Sequence, residues 1–302
     1  MFKRILLPLD GSELAEITLP YGEELARRLG SALTLLHVRG QEHQQEYEHI
    51  HQVYLERLAE TVAGNISRGR PQAKKVKVAT RVESGGVQES ICRLADEKNA
   101  DLIIMAAVSS SGVRIGKTLG SVTGQICRTV HVPVMIIRPR SIRQAGTKEQ
   151  LINHILIPLD GSELSKLALP VGEELASRLK VGVTLFQMAD MVASTLMVPD
   201  KEHRLIMQKL NEAEEKRVDA DIVTLEKELK KKHIDVTHVV TSGLDAAEDI
   251  IGISKKTGAD LIVMSTHGRS GLGRFALGSV AEKILRHADI PLLLVNARAD
   301  TK

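Results

Sequence analysis

The residues best suited to chemistry lie in one glycine-containing segment, which runs from Met264 to Ser279 and reads MSTHGRSGLGRFALGS. Nine residues separate Gly268 from Gly278, and a helical pattern begins at Ser279. Glycines let backbone N–H groups approach an anion closely, and a helix N-terminus adds partial positive charge. The Ser279 hydroxyl and the charge of Arg269 suit the same task. A turn would also explain the glycines, but their place between an apolar run and a helix favours a phosphate site.

Two aspartates, Asp10 and Asp160, each follow a Pro-Leu step at the end of an apolar run. A carboxylate there can accept hydrogen bonds from a ribose hydroxyl or an exocyclic amine. Taken alone, each aspartate is better explained as the opening of an Asp-Gly-Ser turn. Met188 ends another apolar run, where it would cover one face of a base or simply belong to the core.

These residues belong to a domain that occurs twice in the chain. Residues 5–37 and 155–187 are identical at 20 of 33 positions without gaps. Further matched blocks follow in the same order, ADLIIM with ADLIVM and Gly120-Ser121-Val122 with Gly278-Ser279-Val280. We therefore predict domains at residues 1–140 and 152–298, joined by a polar linker at 141–151.

Each copy alternates short apolar runs with helical patterns, which predicts an α/β fold with a parallel sheet covered on both faces. Ser12 and Ser162 are predicted N-caps, and long helices are expected over Glu42–Ser67 and Lys201–Lys232. The predicted strands are Arg4–Leu9, Leu33–Val38, Val76–Val82, Leu102–Ala106 and Val134–Ile137, then His154–Leu159, Gly182–Met188, Val236–Val240, Leu261–Ser265 and Leu292–Val295.

The composition argues against several classes of partner. A net charge of +3, 2% aromatic residues and no Trp give no support for binding to nucleic acid or to an anionic membrane. No apolar run approaches the roughly 18 residues that a membrane span needs, and the first ten residues are too few for a signal peptide. Cys92 and Cys127 lack a CxxC spacing, which favours a reducing compartment. A cytoplasmic protein is expected.

The Pro-Leu-Asp-Gly-Ser strand ends and the Ser-Thr-His-Gly-x9-Gly-Ser block together resemble the universal stress protein family, twice over nearly the whole chain. The resemblance implies two Rossmann-like domains of the adenine-nucleotide α-hydrolase type, each a five-stranded parallel sheet of order 3-2-1-4-5. It implies ATP in the second copy, with Mg²⁺ or Mn²⁺ on the phosphates and no protein ligands to the metal. The implied ATP-binding residues are Pro158, Leu159, Asp160, Met188, Met264, Ser265, His267, Gly268, Arg269, Gly278, Ser279 and Val280.

Both copies depart from the family pattern. Ser265 stands where the ATP-binding branch has its first glycine, a small replacement that should preserve the pocket. In the first copy only Gly120-Ser121 match, the His-Gly step is missing and the loop is one residue longer. We expect the first copy to be a poor or altered nucleotide site with a structural or regulatory role.

Two other patterns are weaker. Gly116-Lys117-Thr118 nearly matches a P-loop, but a P-loop normally follows the first strand of its domain and the second copy lacks the pattern. His43, His49 and His51 are better explained as solvated helix positions than as metal ligands, because a spacing of two puts His49 and His51 on different faces. No catalytic residue is predicted.

The sequence thus predicts an ATP-binding regulator or sensor of a stress response, with slow hydrolysis at most. One alternative is a slow adenine-nucleotide hydrolase or transferase, and another is a dimerisation scaffold that binds no nucleotide. The resemblance also implies pairing of the last strands, which a tandem chain can make within itself between Val134–Ile137 and Leu292–Val295. Association of two chains into a homodimer stays open.

Overall fold

The fold is described from a computed structural model that covers residues 1–40, 48–68, 76–107, 120–139, 150–190, 201–268 and 277–296. The strands are β1 Arg4–Leu9, β2 Ala32–Arg39, β3 Val78–Ser84, β4 Leu102–Ala106, β5 Val134–Ile137, β6 His154–Leu159, β7 Gly182–Asp190, β8 Val236–Gly243, β9 Leu261–Ser265 and β10 Leu292–Val295. The helices in these ranges are α1 Glu13–Glu16, α2 Leu19–Leu29, α3 Glu48–Ser67, α4 Val87–Glu97, α5 Ser121–Thr129, α6 Glu163–Lys166, α7 Ala168–Leu179, α8 Lys201–Lys231, α9 Ala246–Thr257 and α10 Ser279–His287.

The chain divides into two compact units, and the first holds all of the first copy. It comprises Met1–Leu151 together with Leu272–Leu277 and Leu285–Lys302. Its strands follow the order β3-β2-β1-β4-β5, with parallel neighbours throughout, as the resemblance implies. The crossover helices between parallel strands cover the sheet, which is why its central strands are apolar along their whole length.

The last strand of the chain, β10, also belongs to this first unit. It pairs antiparallel with β5, so that Leu292 lies opposite Ile136 and Leu294 lies opposite Val134. The Asn296 side-chain amide donates to the Val130 carbonyl at 2.5 Å. The implied pairing of Val134–Ile137 with Leu292–Val295 is therefore present within the chain.

The second unit repeats the same order of strands. It comprises Ile152–Gly271 and Gly278–Ile284. Its strands lie in the order β8-β7-β6-β9, again with parallel neighbours. All five residues of β9 are buried, and so is its counterpart β4. The duplication read from the sequence thus corresponds to duplicated architecture.

Most predicted strand bounds agree with the structure to within two residues. Val236–Val240 is the exception, because β8 continues three residues further, to Gly243. Val76–Val82 is shifted at both ends, because β3 runs from Val78 to Ser84, where Ser84 pairs with Arg39 at the end of β2. The helix predicted from Glu42 is described only from Glu48 onwards, since residues 41–47 lie outside the described part. Within the described residues, no helix is both long enough and apolar enough to cross a bilayer.

Candidate functional site

The Asp-Gly-Ser step after β6 is a turn that also caps a helix. Asp160 Oδ1 accepts from the Ser162 backbone N–H at 2.9 Å and from the Ser162 hydroxyl at 2.6 Å. The Ser162 oxygen in turn accepts from the Ser165 N–H at 3.1 Å, which confirms Ser162 as the N-cap of α6. Asp160 therefore opens an Asp-Gly-Ser turn, as expected, through its Oδ1. The two hydrogen bonds to Oδ1 also fix the direction of the second carboxylate oxygen, Oδ2.

That second oxygen lies against Gly268 of the loop after β9. A Cβ added at Gly268 would stand only 2.1 Å from Asp160 Oδ2. Only a residue without a side chain allows this approach of the loop backbone to the carboxylate. The structure therefore brings together two features that are more than one hundred residues apart in sequence.

Gly278 has a different role from the one that the glycine spacing suggests. Its N–H donates to the Thr266 carbonyl at 2.9 Å, and a Cβ there would lie 3.0 Å from the same oxygen. This N–H is therefore already hydrogen-bonded within the protein, and the bond holds the start of α10 next to the end of β9. The N–H groups of Ser279, Val280 and the next residue have no intrahelical acceptors, because they form the first turn of the helix. They are the donors that this helix end presents to an anion.

His267 brings a polar group that has no hydrogen-bond partner among the described residues. Its Nδ1 lies 3.0 Å from the Thr266 hydroxyl, and its backbone N–H donates to the Ser265 hydroxyl at 3.3 Å. Its Nε2 is buried and has no hydrogen-bond partner in the described part of the chain. A buried imidazole nitrogen in this position is suited to a polar atom of a ligand.

These groups line a cavity of about 290 Å³ in the second unit. Its volume is close to the lower end of the range for small-molecule sites, roughly 300–1,000 Å³. All but one of the predicted ATP-binding residues line it: Pro158, Leu159, Asp160, Met188, Met264, Ser265, His267, Gly268, Gly278, Ser279 and Val280. Arg269, the remaining one, lies outside the described residues.

The prediction missed further lining residues, namely Ser165, Phe186, Asp190, Ala246, Ile250, Thr266 and Ala281. Met188 lies midway between Phe186 and Asp190 on β7, two residues from each, so all three face the same side of the sheet. A period of two would therefore have identified Phe186 and Asp190. Ala246 and Ile250 lie four apart on α9 and share one helix face. Nothing in the sequence shows that this face points to the cavity, because that depends on how α9 packs.

The first copy has a cavity of about 230 Å³ at the same place, lined by Pro8, Leu9, Asp10, Ala15, Leu36, Val38, Val87, Ile91, Met105, Ala106, Gly120, Ser121, Val122 and Thr123. Gly120 N–H donates to the Ala107 carbonyl at 2.8 Å, as Gly278 does to Thr266. Ala15 and Ala106 replace Ser165 and Ser265, whereas Thr123 adds a hydroxyl group where the second copy has Ala281. The loop at 108–119, including Lys117, lies outside the described residues.

One prediction about the histidines is wrong. His49 is exposed as expected, but the His51 ring stacks on that of His37, with centroids 4.3 Å apart. His37 is buried at the end of β2, where Nδ1 lies 3.0 Å from the Leu9 carbonyl. Burial, and then the neighbouring His51, lower the pKa of His37. Helical periodicity alone did not show that α3 turns His51 towards the sheet. His43 lies outside the described residues.

A cluster of three or more His, Cys, Asp or Glu side chains that could hold a metal ion is absent from the described ranges. Two carboxylates, Asp160 and Asp190, line the second cavity.

Parallel strands in this order, with a cavity at their carboxyl ends, define a Rossmann-like α/β fold. The model of the universal stress protein family matches residues 1–138 and 152–296, and the chain belongs to this family, with two tandem domains.

Relatives agree with this assignment. The chain is 31% identical over 147 residues to the universal stress protein MJ0531 of Methanocaldococcus jannaschii, which covers 49% of this chain and 84% of that protein. It is 24% identical over 313 residues to the universal stress protein Slr1230 of Synechocystis, which covers 96% of this chain and 99% of that protein. A universal stress protein structure from Archaeoglobus fulgidus matches with a TM-score of 0.71 at 18% identity, over 99% of this chain and 100% of that one. That last likeness is one of fold.

Proposed function

We propose that the second copy binds ATP and that the chain acts as a regulator or sensor in a stress response. The observation that carries the proposal is the buried Nε2 of His267, which has no partner in the described part of the chain, in a cavity that the first turn of α10 also lines. An imidazole nitrogen and a helix N-terminus are both suited to phosphate oxygens.

The proposed pose follows the chemistry of the cavity. The adenine ring lies near Pro158, Asp160 and Met188, where Phe186 and Ile250 add apolar surface. The phosphates lie near Ser265, Gly268 and the helix residues Ser279 and Val280. We propose that Mg²⁺ or Mn²⁺ binds to the phosphates themselves, in keeping with the preference of Mg²⁺ for phosphate and water oxygens.

We propose binding rather than rapid catalysis. Asp160 is the best-placed carboxylate for a general base, but Oδ1 already accepts two hydrogen bonds and Oδ2 lies against Gly268. A carboxylate held in this way is suited to accept from a ribose hydroxyl or an amine. Hydrolysis should therefore be slow.

The first copy is proposed as a structural or regulatory partner. Its cavity keeps Asp10 and Gly120-Ser121 but has fewer hydroxyl groups than the second. We retain the boundaries 1–140, 141–151 and 152–298 and propose that the two domains form an intrachain pseudo-dimer. A cytoplasmic location is proposed because Cys92 and Cys127 are both free thiols.

Calorimetric titration with ATP, GTP and adenosine, each with Mg²⁺, tests the ligand. ATP should bind, GTP should bind about tenfold more weakly or worse, and adenosine should lose the phosphate contribution. Equal affinity for ATP and GTP would overturn the adenine assignment. No binding of any nucleotide would favour the scaffold alternative, and rapid ATP turnover would favour the enzyme.

A further inference from the structure

The N-terminal end of α10 lines the second cavity, and two contacts join that end to neighbouring elements. The first is the backbone hydrogen bond from Gly278 to the Thr266 carbonyl, which ties α10 to the end of β9. The second is made by Lys283, which lies four residues beyond Ser279 and therefore about 6 Å along the helix from its first residue. The position of the first turn thus depends on both contacts.

Lys283 is paired with two carboxylates at the start of α9. Its ammonium group donates to Asp245 Oδ2 and, at 3.1 Å, to Glu248 Oε1. The other oxygen of Asp245, Oδ1, accepts at 3.1 Å from the backbone N–H groups of Ala247 and Glu248, so Asp245 also caps α9. One carboxylate therefore joins the N-terminal end of α9 to α10. We call Asp245, Glu248 and Lys283 the α9–α10 clamp.

The clamp lies next to the cavity on both helices. Ala246, the residue after Asp245, lines the cavity, and so does Ile250, one turn further along α9. On α10 the lining residues are Ser279, Val280 and Ala281. The clamp therefore joins two walls of the cavity, one of which carries the N–H groups of the first turn of α10.

The first copy has no equivalent of the clamp among its described residues. Gly86 is the N-cap of α4, where α9 has Asp245, and it makes no side-chain hydrogen bond. Gln125 takes the place of Lys283 in the aligned helices. The first copy therefore lacks both the cation and the capping carboxylate.

The first copy joins the corresponding helices at a different place. There the Gln88 side-chain amide donates to the Thr129 hydroxyl at 3.2 Å. Thr129 is the last residue of α5, about 12 Å along the axis from the first. This hydrogen bond is uncharged and lies at the other end of the helix from the cavity, so it does not replace the clamp.

We propose, on the basis of the ATP site proposed above, that the clamp positions the first turn of α10 for the phosphates. Asp245, Glu248 and Lys283 are then positioning residues of the second site. Lys283 acts through its partners rather than on the ligand, since its ammonium group is already shared by two carboxylates. The side chains of Lys283 and Asp245 are 37% and 40% exposed, so the effect of the pair is modest and decreases with added salt.

Two variants separate positioning from direct attraction. Lys283→Met removes the cation, and Asp245→Asn removes one negative charge but keeps a residue that can cap α9. Each variant should weaken ATP binding about threefold to fivefold in calorimetric titration with Mg²⁺, as expected for a partly exposed ion pair. If Lys283 attracted the phosphates directly, Asp245→Asn would strengthen binding, because it removes a negative charge near an anion. Stronger or unchanged binding by Asp245→Asn would overturn the proposal.

A double variant and two controls complete the binding experiment. Lys283→Met combined with Asp245→Asn should weaken binding no more than Lys283→Met alone, because both residues act through one contact. Lys283→Arg keeps the charge and should keep most of the affinity. Lys232 pairs with Glu173 at 2.8 Å, and neither is among the described residues that line the cavity. Lys232→Met should therefore bind ATP like the wild type, and a loss equal to that of Lys283→Met would contradict the role of the clamp.

Amide hydrogen exchange tests the clamp in the absence of nucleotide. The Gly278 N–H donates to the Thr266 carbonyl, and the Glu282 N–H donates to the Gly278 carbonyl. Both amides should exchange about threefold faster in Lys283→Met and Asp245→Asn than in the wild type and in Lys232→Met. Unchanged exchange in both variants would overturn the clamp even if ATP binds. A wild type that binds no ATP would refute the proposed ligand, and the exchange rates would still decide whether the clamp holds α10.

Discussion

At the scale of single residues, Gly268 is the position where a side chain would do most harm to the proposed site. Its missing Cβ makes room for Asp160 Oδ2. We predict that Gly268→Ala displaces the carboxylate or the loop and weakens ATP binding about tenfold or more, as measured by calorimetry. Gly252→Ala is the matched control, because a Cβ there meets nothing within 4 Å. It should leave binding unchanged, and the prediction fails if both variants bind alike.

His37 gives a prediction about pH. Because its pKa is lowered from the ordinary 6.5 in the folded state, the unfolded chain takes up the proton first as the pH falls. Stability should therefore be full above about pH 6.5 and decrease as the pH falls through that value towards the lower folded pKa. His37→Gln should reduce this loss, measured by urea unfolding at neutral and mildly acidic pH.

The second copy suggests the substitution His37→Gln, because Gln187 is the buried counterpart of His37. His154 also has a lowered pKa, so part of the pH dependence should remain in the variant. An unchanged slope of stability against pH would contradict the role given to His37.

The sequence predicted most of the residues that line the second cavity, but not the hydrogen bonds that they make. Asp160, Gly268 and Met188 were identifiable because strand ends and glycine spacing are visible in the sequence. The engaged N–H of Gly278 was not, since it depends on how closely the end of β9 approaches α10. The stacking of His51 on His37 likewise depends on the packing of α3.

At the scale of elements, the two serine caps provide an internal comparison. Ser12 and Ser162 each accept from a backbone N–H in the first turn of their helices and donate to the preceding aspartate. We predict that Ser12→Ala and Ser162→Ala each cost about 1 kcal/mol of stability. Only Ser162→Ala should also weaken ATP binding, because it loosens Asp160. Equal effects on calorimetric affinity would contradict the assignment to the second copy.

Elements were predictable where their pattern is local. The buried apolar runs gave the strands, and Asp-Gly-Ser gave the caps. The predicted strand ended at Val82, whereas pairing with β2 extends β3 to Ser84. The sequence also marks α8 as long and charged, but only the structure shows that its buried residues, Val218, Ile222 and Leu229, lie in its C-terminal half.

At the scale of the whole molecule, β10 makes the first copy depend on the end of the chain. Val134–Ile137 is buried and pairs with Leu292–Val295. A fragment of residues 1–139 would leave β5 as an apolar, unpaired edge, which favours pairing with another chain. We predict that this fragment self-associates in light scattering after gel filtration. A stable monomeric fragment would contradict the structural importance of the β5–β10 pairing.

The central claim, that ATP binds to the second copy, is tested most directly by one matched pair of variants. Asp10→Ala and Asp160→Ala remove equivalent carboxylates from equivalent turns, so their effects on the local fold should be alike. In calorimetric titration with ATP and Mg²⁺, we predict one site per wild-type chain. Asp160→Ala should weaken binding about 10- to 100-fold, as expected for a lost hydrogen bond to a charged group, and Asp10→Ala should leave it nearly unchanged. Binding that is lost in Asp10→Ala and kept in Asp160→Ala would contradict the account.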